Sequence, residues 1–436
     1  MAANGNKNWK PTKLEDICAQ ITDGKHGDCQ DEPDSGFYFL SCKDVANGKL
    51  NYEGARQITE ADFLDTHRRT KFAPTDVLIT NSGTIGRMAI APDNELTRRT
   101  TFQKSVAILK PIASRVEPNF LYYALQGDIH RLIEFAGGTA QKNLLLRDLR
   151  AFEVSVPPLP VQRRIAGILS AYDELMENSQ RRIRLLEAMA RALYREWFVH
   201  FRFPGHEKHP RVASPLGDIP QGWEVKPFSA IASYVNGYPF KPAQLGTEGK
   251  PIIKIKELKA GIVTDTPRNL GDEIPEKYNI HDGDVLFSWS ADLDTYLWMG
   301  GEGLLNQHLF NVVPFDGISR AFCFHALKGS MPRFRALSLG ATMHHIKRSA
   351  LDQVFTLLPP APLRKRFEVL VEPMHQQLIT LTKHVENLRR TRDLLLPRLL
   401  SGQVEISTVA TISSTNESNR SLSSEPTSTA HRKHIL

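Results

Sequence analysis

Gly138-Thr139-Ala140-Gln141-Lys142-Asn143, then Leu149, then Val156-Pro157-Pro158-Leu159-Pro160 form a stretch that the chain writes twice. Gly340-Ala341-Thr342-Met343-His344-His345, Leu351 and Leu358-Pro359-Pro360-Ala361-Pro362 take the same relative places 202 residues later. The pairs Gly138/Gly340, Leu149/Leu351 and Pro157/Pro359 align without a gap. A period that long, held in register, marks an internal duplication, so each half is read separately.

Toward the N-terminus the echo continues but drifts. Asp76-Val77-Leu78-Ile79-Thr80-Asn81-Ser82 resembles Asp284-Val285-Leu286-Phe287-Ser288-Trp289-Ser290 at an offset of 208. Gln103 and Gln307 each precede a short apolar run ending at Pro111 and Pro314, and Trp9-Lys10-Pro11 resembles Trp223-Glu224-Val225 at an offset of 214. Each half therefore has a length-variable front and a length-fixed back.

Toward the C-terminus each copy runs into a helix. Pro160 and Pro362 suit a first helical turn, where a missing N–H costs nothing. After Pro160, apolar or small residues fall at Ile165, Ile168, Tyr172, Leu175, Ser179, Ile183, Leu186, Ala190, Leu193 and Trp197. After Pro362 the series is Phe367, Leu370, Met374, Gln377, Leu381, Val385, Leu388, Arg392, Leu395 and Leu399. Steps of three and four make a heptad seam. Helices of about 40 residues, roughly 60 Å long, are not stable with one apolar stripe in water. Packing the two against each other in opposite directions covers both. Pro397 is expected to kink or end the second helix, with Gly402 as its stop.

The fronts read as mixed α/β. Phe37–Cys42, Asp76–Thr80, Val106–Lys110, Pro251–Ile255, Asp284–Ser288 and Leu309–Val313 are β-prone runs bounded by turn residues, with helices at Asn119–Gln126 and Ala321–Leu327. The expected fold class is α+β: two mixed α/β domains separated by an antiparallel pair of long coiled-coil helices, in a pseudo-twofold repeat. The expected divisions are 1–156 and 221–358 for the domains, 157–202 and 359–406 for the helices, 203–220 for a linker, and 407–436 for a Ser/Thr-rich disordered tail.

Composition narrows the function. The 436 residues hold 41% hydrophobic and 24% charged residues, ordinary globular values that argue against a fibrous or disordered chain. No stretch of about 18 apolar residues exists to span a bilayer, and the polar start lacks a signal-peptide core, so a cytoplasmic location is expected. Cys18, Cys29, Cys42 and Cys323 form no CxxC pair, and His206 and His209 lack further ligands, so no metal is expected. The net charge of +7 is compatible with a nucleic-acid partner. There is no Gly-Lys-Ser/Thr phosphate loop, no Asn/Asp-Pro-Pro-aromatic loop of an amino-methyltransferase and no convincing cofactor glycine loop. Glu257-Leu258-Lys259 reads as a solvated strand end rather than nuclease chemistry. No catalytic residue is assigned.

The order of these motifs, twice in one chain, resembles the DNA-specificity subunit of type I restriction–modification systems. The likeness runs from Trp9 to about Ile406 and rests on several motifs. These are the Trp at each repeat start, Thr80-Asn81-Ser82-Gly83-Thr84-Ile85-Gly86, Gly138-Thr139-Ala140-Gln141-Lys142, Pro157-Pro158-Leu159-Pro160 with Gln162 and Ile165, and the long helices. The second copy departs from it with Trp289-Ser290-Ala291-Asp292 and His344-His345. The resemblance implies that each front is a target-recognition domain reading one half of a split, asymmetric double-stranded DNA site. It implies that the helices act as a ruler and dock two methyltransferase (modification) subunits, and through them restriction (translocase/nuclease) subunits. It also implies that S-adenosylmethionine, ATP and Mg are bound by those partners, none by this chain. The alternative is a coiled-coil scaffold carrying two binding modules unrelated to DNA.

Base and phosphate contacts call for Arg, Lys, Asn, Gln, Ser, Thr or aromatic side chains on a groove-facing surface. In the first half the candidates are Lys25, His26, Asn81, Ser82, Thr84, Arg87, Thr139, Gln141, Lys142 and Asn143. In the second they are Tyr238, Lys241, Lys254, Lys256, Trp289, Ser290, Thr342, His344, His345 and Lys347. Arg181, Arg182 and Arg184 form a charge run on the first long helix.

Overall fold

The computed structural model describes residues 9–135, 143–338 and 345–404. The chain divides into two compact units, one of Met1–Tyr172 with Thr391–Leu436, the other of Asp173–Arg390.

In the first unit the elements run β1 (Lys10–Lys13), β2 (Cys18–Asp23), β3 (Tyr38–Leu40), α1 (Glu60–Thr70), β4 (Val77–Thr80), β5 (Met88–Ile90), β6 (Thr100–Phe102), β7 (Val106–Pro111), α2 (Pro118–Gly127) and β8 (Glu153–Val156), followed by the first long helix, α3 (Leu159–Tyr194). The main sheet is antiparallel with order β2-β7-β4-β5. β4 is apolar on both faces because both faces are covered. Val77 and Ile79 pack with Phe120 and Leu121 of α2, while Leu78 packs with Leu40 and Phe102 of the β3–β6 pair on the other side. That alternation follows the two-residue period of a strand. β3 and β6 pair in parallel, and β1 pairs with β8 so that Lys10 faces Val156 and Lys13 faces Glu153.

The second unit repeats this plan. Its elements are β9 (Glu224–Pro227), β10 (Ala232–Asn236), β11 (Lys250–Ile253), α4 (Ile255–Ala260), β12 (Val285–Ser288), β13 (Asp294–Leu297), β14 (Gly303–Leu305), β15 (Leu309–Pro314), α5 (Arg320–Ala336), β16 (Phe355–Leu358) and the second long helix, α6 (Ala361–Leu400). The sheet order is β10-β15-β12-β13, β11 and β14 are parallel, and β9 pairs with β16 so that Glu224 faces Leu358. Val285 and Phe287 face the core under α5, and Leu286 faces Ile253 and Leu305. The six β-prone runs and both short helices read from the sequence are thus present, strand for strand in the two units.

Each unit also contains parts of both long helices. In the first, Ile165, Ala166 and Leu169 of α3 share a core with Leu395, Leu396 and Leu399 of α6. In the second, Tyr194, Trp197 and Phe198 pack on Phe367, and Arg182 Nη2 donates to Gln377 Oε1 at 3.4 Å. Within this unit, earlier residues of α3 therefore meet later residues of α6.

The seam differs from the sequence reading at three places, Leu175, Leu370 and the exposed Gln377, beside which Leu378 is buried. Leu175 is 49% exposed and Leu370 is 46% exposed, while their neighbours Met176 (6%) and Val371 (0%) turn inward. The departures are local, since Phe367, Leu381, Val385 and Leu399 of the same series stay buried; the surface lying opposite each turn sets which residue faces inward. Pro397 neither ends nor replaces the last turn. α6 continues to Leu400, and Gly402 at φ +69° closes it, its amide donating to the Leu399 carbonyl. The expected linker contains a β-hairpin, Arg211–Ser214 against Gly217–Pro220. Glu257 is not a solvated strand end. It is buried at the start of α4, where its Oε2 accepts from the Lys254 amide at 3.0 Å. The expected tail lies outside the described residues. Among the described residues no helix is long and apolar enough to cross a membrane.

Candidate nucleic-acid interface

Antiparallel pairing puts the end of one strand beside the start of the next. In the first unit Asp23 faces Ala107 and Thr80 faces Val106, so the loops after β2 and β4 and before β7 and β5 gather at one sheet end. The β2 turn is built on close approach. The Lys25 amide donates to the Phe102 carbonyl at 2.8 Å, and a Cβ on Gly24 would lie 1.9 Å from that carbonyl oxygen. The β4 turn is held by the Asn81 amide donating to the Ser105 carbonyl at 3.0 Å. The strand-to-helix return joins here too, because the Leu144 amide donates to the Asn81 carbonyl at 2.9 Å.

Lys25, His26, Asn81, Ser82, Thr84, Arg87 and Asn143 thus come to one sheet end from three separate stretches of chain. Their availability differs. Lys25 Nζ binds Asp62 at 2.7 Å, which raises the lysine and holds the Asp62 carboxyl below its usual range. His26 Nε2 lies 2.8 Å from Asp23. Asn81 is buried, and its Oδ1 has no partner among the described residues. Arg87 is exposed, and among the described residues its side chain reaches the Cys42 carbonyl alone, at 3.4 Å. Thr139, Gln141 and Lys142 lie outside the described residues.

Reading the sequence missed several groups here. Lys43 and Lys104 are exposed at this sheet end, and neither ammonium makes an ion pair among the described residues. Arg68 and Arg69 on the last turn of α1 flank Lys25 and His26 around a shallow concavity. Lys43 was findable: Ser41 and Asp44 form the same cap as Lys254 and Glu257, which makes Lys43 the counterpart of Lys256.

The second unit builds the same sheet end from different side chains. The Tyr238 amide donates to the Leu305 carbonyl at 2.8 Å beneath Gly237, and the Ile346 amide donates to the Trp289 carbonyl at 3.1 Å. Trp289 is half-buried, with its ring 6.0 Å from Phe310 and 5.8 Å from His308, and its Nε1 donates to Asn236 Oδ1 at 3.3 Å. Tyr238 packs into an aromatic group with Phe240 and Tyr278. Lys254 begins α4 at this end, while exposed Lys256 is bound to Asp265 at 2.7 Å. Ser290 is buried, and its main chain pairs with exposed His345. Lys241 and Lys347 are exposed. Thr342 and His344 lie outside the described residues. Asn236 and His308 were missed. Structurally Gln103 corresponds to Asn306 rather than Gln307, since each pairs with the turn residue, Lys25 or Tyr238.

Arg181, Arg182 and Arg184 are exposed on α3. His206 Nδ1 and His209 Nε2 each engage a backbone carbonyl, of Phe203 and Gln221. Among the described residues no three His, Cys, Asp or Glu side chains cluster closely enough to hold a metal ion.

Comparison with known proteins bears on this geometry. Residues 6–188 match the family model described as type I restriction modification DNA specificity domain. The chain is 25% identical over 426 residues to the type I restriction enzyme MjaIX specificity subunit of Methanocaldococcus jannaschii, covering 92% of this chain and 94% of that one. It is 22% identical over 469 residues to the HindI specificity subunit of Haemophilus influenzae, covering 91% and 99%. The crystal structure of a type I restriction–modification S subunit from M. genitalium shares the fold, with a TM-score of 0.60 at 16% identity over 92% of this chain and 98% of that one.

Proposed function

We propose, for a chain that belongs to the type I restriction–modification DNA-specificity subunits, that it reads a split, asymmetric double-stranded DNA site, one half with each unit. One observation carries this reading. The two units place the same backbone constellation at the same sheet end but fill it with different chemistry: Lys25 and Asn81 in one, Tyr238 and Trp289 in the other. Equal scaffolds with unequal side chains suit two unlike half-sites. Exposed Lys43, Arg68, Arg87 and Lys104 in the first unit, and exposed Lys241 and Lys347 with half-buried Lys254 in the second, supply phosphate contacts that fix register without specifying sequence.

The long helices act as an antiparallel coiled-coil spacer between readers related by a pseudo-twofold repeat. Supporting this are the contacts of α3 and α6 inside each unit. The same helices dock two methyltransferase subunits and, through them, restriction subunits. Catalysis, S-adenosylmethionine, ATP and Mg reside on those partners.

The test is footprinting of the chain assembled with its modification subunit. Two separated protected patches, with affinity falling steeply as salt rises, are expected. One continuous patch would overturn the split site. Salt-insensitive partner binding without DNA retention would instead favour a scaffold that does not touch DNA.

A further inference from the structure

In the second unit the recognition-fold helix α5 meets the long helix α6 through two imidazoles. His325 of α5 and His375 of α6 hold their Nε2 atoms 3.3 Å apart, and both side chains are almost wholly buried. Tyr194 stacks on His325 at 5.8 Å, and Phe324 and Phe367 close the sides. The contact needs one bare nitrogen lone pair. A first proton places a charge among aromatic rings, beside Arg191. A second removes the only acceptor and sets two like charges against each other, which a buried site does not tolerate.

The pair is not sealed from protons. It lines a cavity of about 400 Å³ together with groups from each surrounding element. Glu187 and Arg191 face it from α3, and Lys328, held at 2.8 Å by Asp294, from α5. Tyr296 faces it from β13, Glu257 from α4 (already engaged in its cap) and Glu386 from α6. Glu372 of α6 also acts on His375, raising it. Among the described residues the corresponding joint in the first unit has no imidazole. There Tyr123 of α2 donates to Ser170 Oγ of α3 at 3.4 Å.

We propose that the His325–His375 contact is an acid-labile joint. At neutral pH it keeps the second recognition fold docked on its long helix, and mild acid loosens it, while the first unit, joined through Tyr123 and Ser170, stays docked. The inference stands whatever the unit binds.

Burial, with His375 and Arg191, pushes His325 down to about 3 from 6.5, and burial lowers His375. A histidine depressed in the docked state is protonated more readily once undocked. Its stabilisation is complete above its ordinary value of 6.5 and is lost as pH falls from there toward 3. For His325 alone, linkage gives an opening equilibrium about 25-fold larger at pH 5 than at pH 7.

The test is hydrogen exchange on the full chain at pH 7 and pH 5, corrected for intrinsic exchange chemistry. Peptides covering Arg320–Ala336 and residues 361–380 are compared with those covering Pro118–Gly127. An excess opening of about 25-fold or more, confined to the second unit, is expected. It should vanish in the double variant His325→Phe/His375→Leu, because replacing both polar partners by apolar groups of similar shape can be nearly neutral. Equal opening in both units, or an undiminished excess in the double variant, would overturn the proposal. If that variant does not fold, NMR titration of the wild-type imidazoles decides. Two histidines neutral to below about pH 5 support the joint, and titration near the ordinary value refutes it.

Discussion

The Leu144 amide donates to the Asn81 carbonyl at 2.9 Å. This one bond ties the loop after the central strand to the segment that follows the first Gly138 motif. Its counterpart joins Ile346 to Trp289 at 3.1 Å. In sequence the two partners of each bond are about sixty residues apart. In each unit the accepting residue, Asn81 or Trp289, belongs to the candidate interface, while the donor, Leu144 or Ile346, is buried in the core.

The β2 turn leaves no room for a side chain. A Cβ on Gly24 would meet the Phe102 carbonyl oxygen at 1.9 Å, and one on Gly237 would meet that of Asn306 at 2.1 Å. Gly24→Ala and Gly237→Ala should each cost about 3 kcal/mol or more, whereas Gly27→Ala, which meets nothing within 4 Å, should stay within about 0.5. Urea denaturation of the three variants checks this, and equal midpoints would refute the close-packed turn.

The helix faces separate neighbours in sequence. Met176→Ala and Leu399→Ala should cost about 2–5 kcal/mol, and Leu175→Ala and Leu394→Ala about 0.5 or less, because the first pair is buried and the second exposed. A large loss at Leu175 would mean that its face is covered in the folded chain.

Lys43 and Lys104 are proposed to contact phosphate. In the assembled complex, Lys43→Ala and Lys104→Ala should each weaken binding to all DNA sequences alike and reduce the slope of log affinity against log salt by about 1. A change in which sequence is preferred would make either lysine a base reader instead.

Front and back should be separable. Inserting about four residues, one turn, in the helix after Pro160 should alter the spacing between half-sites and leave their identity unchanged. Exchanging Trp9–Arg150 for another reader should do the reverse. Methylation mapping of the products distinguishes the two, and a change of identity on insertion would refute the division of roles.

Glu257 anchors α4. Glu257→Ala removes a buried acceptor from the Lys254 amide and should cost about 1–2 kcal/mol, with Glu257→Gln recovering most of it. Thermal denaturation measures both.

Much of the architecture was legible because it rests on local signals. The repeat, the β-prone runs, the two short helices, Pro160 and Pro362 in their first turns and Gly402 as a stop all follow from backbone preferences and periodicity within a few residues. The Trp9 and Trp223 echoes mark the starts of β1 and β9, but their partners β8 and β16 lie far along the chain and no local signal paired them. The buried faces of the long helices were legible only on average. Whether Leu175 or Met176 turns inward depends on helix twist and on which surface lies opposite, and no spacing rule along one chain contains that.

The sequence by itself determined that this protein carries two α/β fronts and two long amphipathic helices, since hydrophobic period and turn chemistry are written residue by residue. Only the tertiary structure decided which side chains can meet a partner. It turned Glu257 and Ser290 inward, occupied Lys25 with Asp62 and Lys256 with Asp265, and brought Lys43 and Lys104 to the same sheet end. Burial and ion pairing are set by neighbours distant along the chain. Closing those long loops fixes which polar groups find partners inside the fold and which are left facing water.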